Sequence, residues 1–155
     1  MRIKLFTLIG LVAITVSCIK NDVYFQYHAV NETGWNKDSL YKFDVSIDDT
    51  SALYNVYVNV RNSKEYPYQN LWLFLQKTYP DSSMVKDSIE CYLADQRGKW
   101  LGSGMGSILE MPILYQQGVR FEHKGIYQFG IVQGMRDDVL VGISDIGIRV
   151  EKVDE

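Results

Sequence analysis

Tyr41-Lys42-Phe43-Asp44-Val45-Ser46-Ile47-Asp48 alternates without a break: the odd positions are apolar and the even ones polar. Successive side chains of a strand point to opposite faces, so a period of two describes a strand with one dry face and one wet face. The same rhythm recurs on both sides of this stretch. Tyr54, Val56, Val58 and Val60 alternate with Asn55, Tyr57, Asn59 and Arg61, and Val85, Ile89, Cys91 and Leu93 with Lys86, Ser88 and Glu90. Tyr127, Phe129 and Ile131 form another set, and Ile146, Ile148 and Val150 a last one. Leu71-Trp72-Leu73-Phe74-Leu75 is apolar on both faces, which suits a central strand covered on both sides, or one covered by a loop.

Turn chemistry separates these runs, at Asn31-Glu32-Thr33-Gly34, Asp48-Asp49-Thr50-Ser51, Tyr79-Pro80-Asp81-Ser82-Ser83 and Asp95-Gln96-Arg97-Gly98. No segment of useful length has a helical period; Gln133 to Leu140 has room for one helical turn. Many short strands at this spacing predict an all-β fold, an antiparallel β-sandwich of jelly-roll-like type. Composition agrees. The 155 residues are 46% hydrophobic and 23% charged, as in a globular domain, and 11 of them are Tyr, a residue that favours half-wet strands.

The N-terminus is read separately from the fold. Met1-Arg2-Ile3-Lys4 is basic, Leu5 to Val16 is apolar, and small Ser17 precedes Cys18. That is the plan of a secretory signal, too short to span a bilayer. With cysteine directly after the small residue it resembles the lipobox of bacterial lipoproteins, although Thr15 stands where Leu is usual. The expected organisation is a signal peptide over 1–17, a lipidated N-terminus and short tether over 18–23, and one domain over 24–155. Cys18 would carry a thioether-linked diacylglycerol and an N-acyl chain, with no other cofactor. Loss of Arg2 and Lys4 leaves 14 basic against 19 acidic residues, a net charge of −5. Such a domain repels nucleic acid, so the bilayer contact is expected to come from the acyl chains. Cys91 is then the remaining cysteine and shares parity with core positions, so it reads as a small core residue.

Sequence signals for catalysis are weak. His28 and His123 each stand alone, without metal-ligand spacing. Gly102-Ser103-Gly104-Met105-Gly106-Ser107 has neither the Gly-Lys-Ser/Thr ending nor the following helix of a phosphate loop; alternate glycines more simply let another backbone come close. Asp48-Asp49, Asp137-Asp138 and Asp145 read as solvated turn residues. Glu65-Tyr66-Pro67-Tyr68-Gln69-Asn70 is more open to a binding role, because Pro67 interrupts pairing and would leave Tyr66 and Tyr68 beside Asn70 on an edge or loop. Trp100 is a fourth candidate for partner or glycan contact, but its place between a turn and a glycine run better suits a strand entering the core, so a packed, architectural Trp100 is expected.

Several stretches, taken in order, resemble the gliding-motility lipoprotein GldH family of Bacteroidetes. They include Gly34-Trp35-Asn36-Lys37-Asp38, Tyr66-Pro67-Tyr68-Gln69-Asn70-Leu71 and the run from Gly98-Lys99-Trp100 to Gly106-Ser107. Gln133-Gly134-Met135-Arg136-Asp137-Asp138 and Asp145-Ile146-Gly147-Ile148-Arg149 complete the likeness. The resemblance implies a non-enzymatic envelope lipoprotein that supports gliding motility and type IX secretion through contacts with other envelope proteins. Lys20-Asn21-Asp22 offers one acid near Cys18, and surface-export signals in that phylum are richer in acids, so the protein is expected to face the periplasm. A lipoprotein carbohydrate-binding module is the alternative, suggested by a sandwich rich in Tyr and Trp.

Overall fold

The computed structural model describes residues 21–153 and places ten strands and no helix among them. The strands are β1 (Asp22–Ala29), β2 (Trp35–Asn36), β3 (Tyr41–Ile47), β4 (Tyr54–Ser63) and β5 (Asn70–Thr78). There follow β6 (Met84–Tyr92), β7 (Ile108–Val119), β8 (Gly125–Gln133), β9 (Val139–Leu140) and β10 (Ile143–Lys152). One sheet runs β1-β10-β4-β7 and the other β3-β8-β5-β6, with β2-β9 as a small clasp. All pairings are antiparallel. Among the eight long strands, every connection crosses between the sheets except the β5–β6 hairpin. That is the jelly roll the alternation predicted.

The alternating runs supply the core. Val56, Val58 and Val60 of β4 and Ile146, Ile148 and Val150 of β10 are fully buried, as are Phe43, Val45, Leu71, Leu73, Tyr127 and Ile131 from the opposing sheet. Cys91 is buried with them, and loss of hydration there pushes its thiol from an ordinary 9.0 up to about 12. The acidic turns are held by their own carboxylates: Asp49 Oδ1 accepts Ser51 N at 2.9 Å, and Asp81 Oδ1 accepts Ser83 N at 2.9 Å.

Some expectations change. β1 begins at Asp22, so the tether is shorter than 18–23 and the folded part starts before Tyr24. Gln133 to Leu140 forms no helical turn; Val139 and Leu140 pair with Asn36 and Trp35 instead. Trp35 is fully buried, and that pairing closes the end of the sandwich over it. Val85 is 52% exposed, because β6 is an edge strand whose inward face overhangs the core at its start. β5 does lie between β8 and β6, but the outer side of Trp72 and Phe74 is covered only in part, leaving them 39% and 54% exposed. Cys18 and the signal segment lie outside the described residues.

The glycine run is structural. Ser103 bridges Glu110, donating N–H to its carbonyl at 3.0 Å and accepting its N–H at 2.8 Å, which lays this segment along the start of β7. A Cβ on Gly102 would stand 2.9 Å from Glu110 O, and one on Gly104 would collide with Ile108 O. Gly104→Ala should therefore cost about 1–3 kcal/mol of stability through forced backbone displacement, while Ser103→Ala should melt like the parent; thermal unfolding of both compares them. The Cys91 thiol should stay unlabelled in native protein even at pH 9, reacting only on unfolding. Since folding raises this pKa, its contribution to stability is whole below about pH 9 and is lost as pH climbs towards 12.

Candidate functional site

The period of two that buries Leu71, Leu73 and Leu75 necessarily turns Trp72 and Phe74 outward. Their neighbours across the sheet are small or polar: Glu90 opposite Trp72, and Ser88 and Val132 on either side of Phe74. The two rings consequently stand above their surroundings. Tyr92, 60% exposed, lies one step further on β6, opposite Asn70. The result is an aromatic face on the outer side of the β3-β8-β5-β6 sheet.

The loop after β8 is fastened to the end of this face. Gly134 N donates to Trp72 O at 2.7 Å, and Trp72 N donates to Met135 Sδ at 3.3 Å. Buried Gln133 holds the loop shape, accepting Met135 N at 2.7 Å through Oε1 and donating to Asp137 O at 2.8 Å through Nε2. The Phe74 ring leans over Gly134, where a Cβ would come within 3.1 Å of it. Two open hollows flank the rings. One of about 250 Å³ lies between Trp72, Tyr68, Met135 and Arg136; one of about 330 Å³ lies between Phe74, Gln76, Lys86 and Val132.

The acids near the face are committed to neighbours. Tyr68 Oη donates to Asp137 Oδ2 at 2.7 Å, a hydrogen bond that raises the Tyr68 pKa. Glu90 accepts Asn70 Nδ2 at 2.6 Å through Oε1 and Tyr92 Oη at 3.0 Å through Oε2. Exposed aromatic rings flanked by open hollows and a polar rim have the composition of a contact surface.

The four residues singled out from sequence part company here. Tyr68 and Asn70 reach this face. Tyr66 is buried instead, with its ring edge-on to Tyr68 at 5.8 Å and its Oη donating to Asn70 O at 2.9 Å; burial raises its pKa. It supports the site from beneath. Trp100 is half-buried, pairs with Ala94 and packs against the core at the same end of the sandwich. Trp72, Phe74, Tyr92 and Met135 were not anticipated. Their signal was in the polar alternation of Lys86, Ser88 and Glu90, which leaves nothing large to cover the neighbouring strand. His28 Nε2–H donates to Lys42 O at 2.9 Å and its ring packs on Phe43, and no group of three or more metal-ligating side chains gathers among the described residues.

This is a jelly-roll domain with an open aromatic sheet face. The family model described as "GldH lipoprotein" matches residues 22–150, and the chain belongs to that family. It is 35% identical to the "Gliding motility lipoprotein GldH homolog" of Christiangramia forsetii, over 97% of this chain and 96% of that one. Identity is also 35% to the "Gliding motility lipoprotein GldH" of Flavobacterium johnsoniae, over 99% of this chain and 100% of that one.

Trp100→Ala should lower stability by an amount near the lower end of the roughly 3–5 kcal/mol for truncating buried aromatics. The double variant Trp72→Ala, Phe74→Ser should melt within about 0.5 kcal/mol of the parent, as surface changes do. Thermal denaturation of the three proteins side by side tests the division.

Proposed function

We propose that this protein is a non-enzymatic lipoprotein of the cell envelope, facing the periplasm, that supports gliding motility and the associated type IX secretion machinery through protein–protein contacts. Diacylglycerol and an N-acyl chain on Cys18 anchor it, and the Trp72–Phe74 face receives its partner. Family membership over nearly the whole chain supports the motility role. The observation that carries the mode of action is the exposed pair Trp72 and Phe74 on a strand whose alternate residues Leu71, Leu73 and Leu75 are buried. Large apolar rings gathered on a surface favour a protein partner, since their burial on contact returns the hydrophobic free energy that folding left unused. A glycan reading is favoured by Tyr68 and Trp72 lying beside Asn70 and Arg136; Phe74, Val132 and Met135 offer a sugar no hydrogen bond, which tips the balance to protein.

Complementation of a Flavobacterium johnsoniae strain lacking its own relative separates these roles. The parent chain should restore spreading and secretion. Cys18→Ala should lose fatty-acid labelling, leave the membrane fraction and fail. Trp72→Ala with Phe74→Ser should stay labelled and abundant yet fail. Full activity of that double variant would remove the aromatic face from the reading, and binding of soluble glycans lost in the same variant would replace protein by carbohydrate.

A further inference from the structure

The strand register gathers one set of strand ends at a single end of the sandwich. Asp22 pairs with Glu151, Lys152 with Tyr54, Tyr54 with Val119, Ile47 with Gly125, and Thr78 with Met84. This end therefore carries the short turns 48–53, 79–83 and 120–124 together with the start of β1. The opposite end carries connection 64–69 and the longer ones 30–40, 93–107 and 134–142.

The chain is fixed to the domain before β1 begins, because Lys152 N donates to Asn21 O at 2.8 Å. Only Ile19 and Lys20 separate Cys18 from that point, three Cα steps of about 3.8 Å each, or about 11 Å. The sandwich is taller than this. Strands of nine or ten residues rise about 3.3 Å per residue and so span about 30 Å. A lipid on Cys18 can reach the short-turn end and nothing beyond it.

The chemistry of that end suits a bilayer surface. Val23, Met84, Val85 and Ile126 are 46%, 51%, 52% and 59% exposed and all lie at or beside it. Arg120 and Lys124 stand exposed in the turn between β7 and β8 with Glu122 between them, and Asp48 and Asp81 are exposed in the neighbouring turns. Exposed apolar side chains among charges of both signs suit the boundary between acyl chains and head groups, held there by apolar contact and not by a basic patch. Asp49, by contrast, is spent on Lys152 Nζ at 2.6 Å.

We propose that the short-turn end rests on the membrane, so that the sandwich stands upright on its lipid. The inference rests on acylation of Cys18. Trp72 lies six residues from Thr78, the membrane-side end of β5, and is carried about 20 Å above that end. The aromatic face is then held clear of the bilayer, and the long-loop end points away from it.

The acylated full-length protein, reconstituted in vesicles, tests this with single reporter cysteines carrying a fluorophore. Asp48→Cys and Lys124→Cys mark the short-turn end, Arg97→Cys and Met105→Cys the far end, and Ser88→Cys the aromatic face. Buried Cys91 remains unlabelled. With quencher-bearing phospholipid, the labels at 48 and 124 should lose most of their emission, and those at 88, 97 and 105 should keep theirs. Because the tether imposes the orientation, neutral and anionic vesicles should give the same pattern. Quenching at 88 would lay the domain on its aromatic face, and quenching at 97 or 105 would invert it. Absence of quenching at every position, in protein that still floats with the vesicles, would stand the domain off the surface. Each of these overturns the proposal. Protein that does not float at all refutes the acyl anchor, and the orientation with it.

Discussion

Everything in this molecule depends on keeping water out of the space between two four-stranded sheets. Val56, Val58, Val60, Ile146, Ile148 and Val150 present one wall; Phe43, Val45, Leu71, Leu73, Tyr127, Phe129 and Ile131 present the other. Each such side chain returns about 1.5–3 kcal/mol on burial, and a one-residue slip of any strand would turn its whole set to solvent. The register is thus over-determined. That rigidity is what allows aromatic rings to stand on the outer face without folding back onto it.

The alternation of Tyr41–Ile47 and of 54–61 gave away β3 and β4 because each has one wet and one dry face. β8 and β10 were legible for the same reason, and the sandwich followed from their number and spacing. β1 and β7 were not legible. Asp22-Val23-Tyr24-Phe25 and Leu109-Glu110-Met111-Pro112 lack a clean dry face, because apolar residues such as Val23, Phe25 and Leu114 stand on the outer side as well and blur the alternation. Trp35 and Leu140, buried by a two-residue pairing between distant loops, left no periodic mark at all.

The aromatic face shows the opposite difficulty. Leu71–Leu75 looked covered because five consecutive apolar residues normally mean burial on both sides. Whether a second cover exists is a property of the whole fold and not of the strand. Tyr66 illustrates the same limit: Pro67 broke the pairing as expected, yet the ring turned inward and Tyr68 alone turned out. Local sequence fixes alternation, whereas tertiary packing decides which half of it meets water.

The neighbour of the first strand is the last. β10 lies between β1 and β4, so the β1-β10-β4-β7 sheet has a gap at its middle until residue 143 and those after it have emerged. A chain delivered from its N-terminus has nearly all its apolar surface outside the exporter before it can close. Pairings this distant in sequence also form slowly. For that interval half of the interior is open to proteases and to neighbouring chains. The fold therefore keeps its interior incomplete until β10 is in place. It also makes a loss of the final ten residues far more damaging than their position at the end of the chain would suggest.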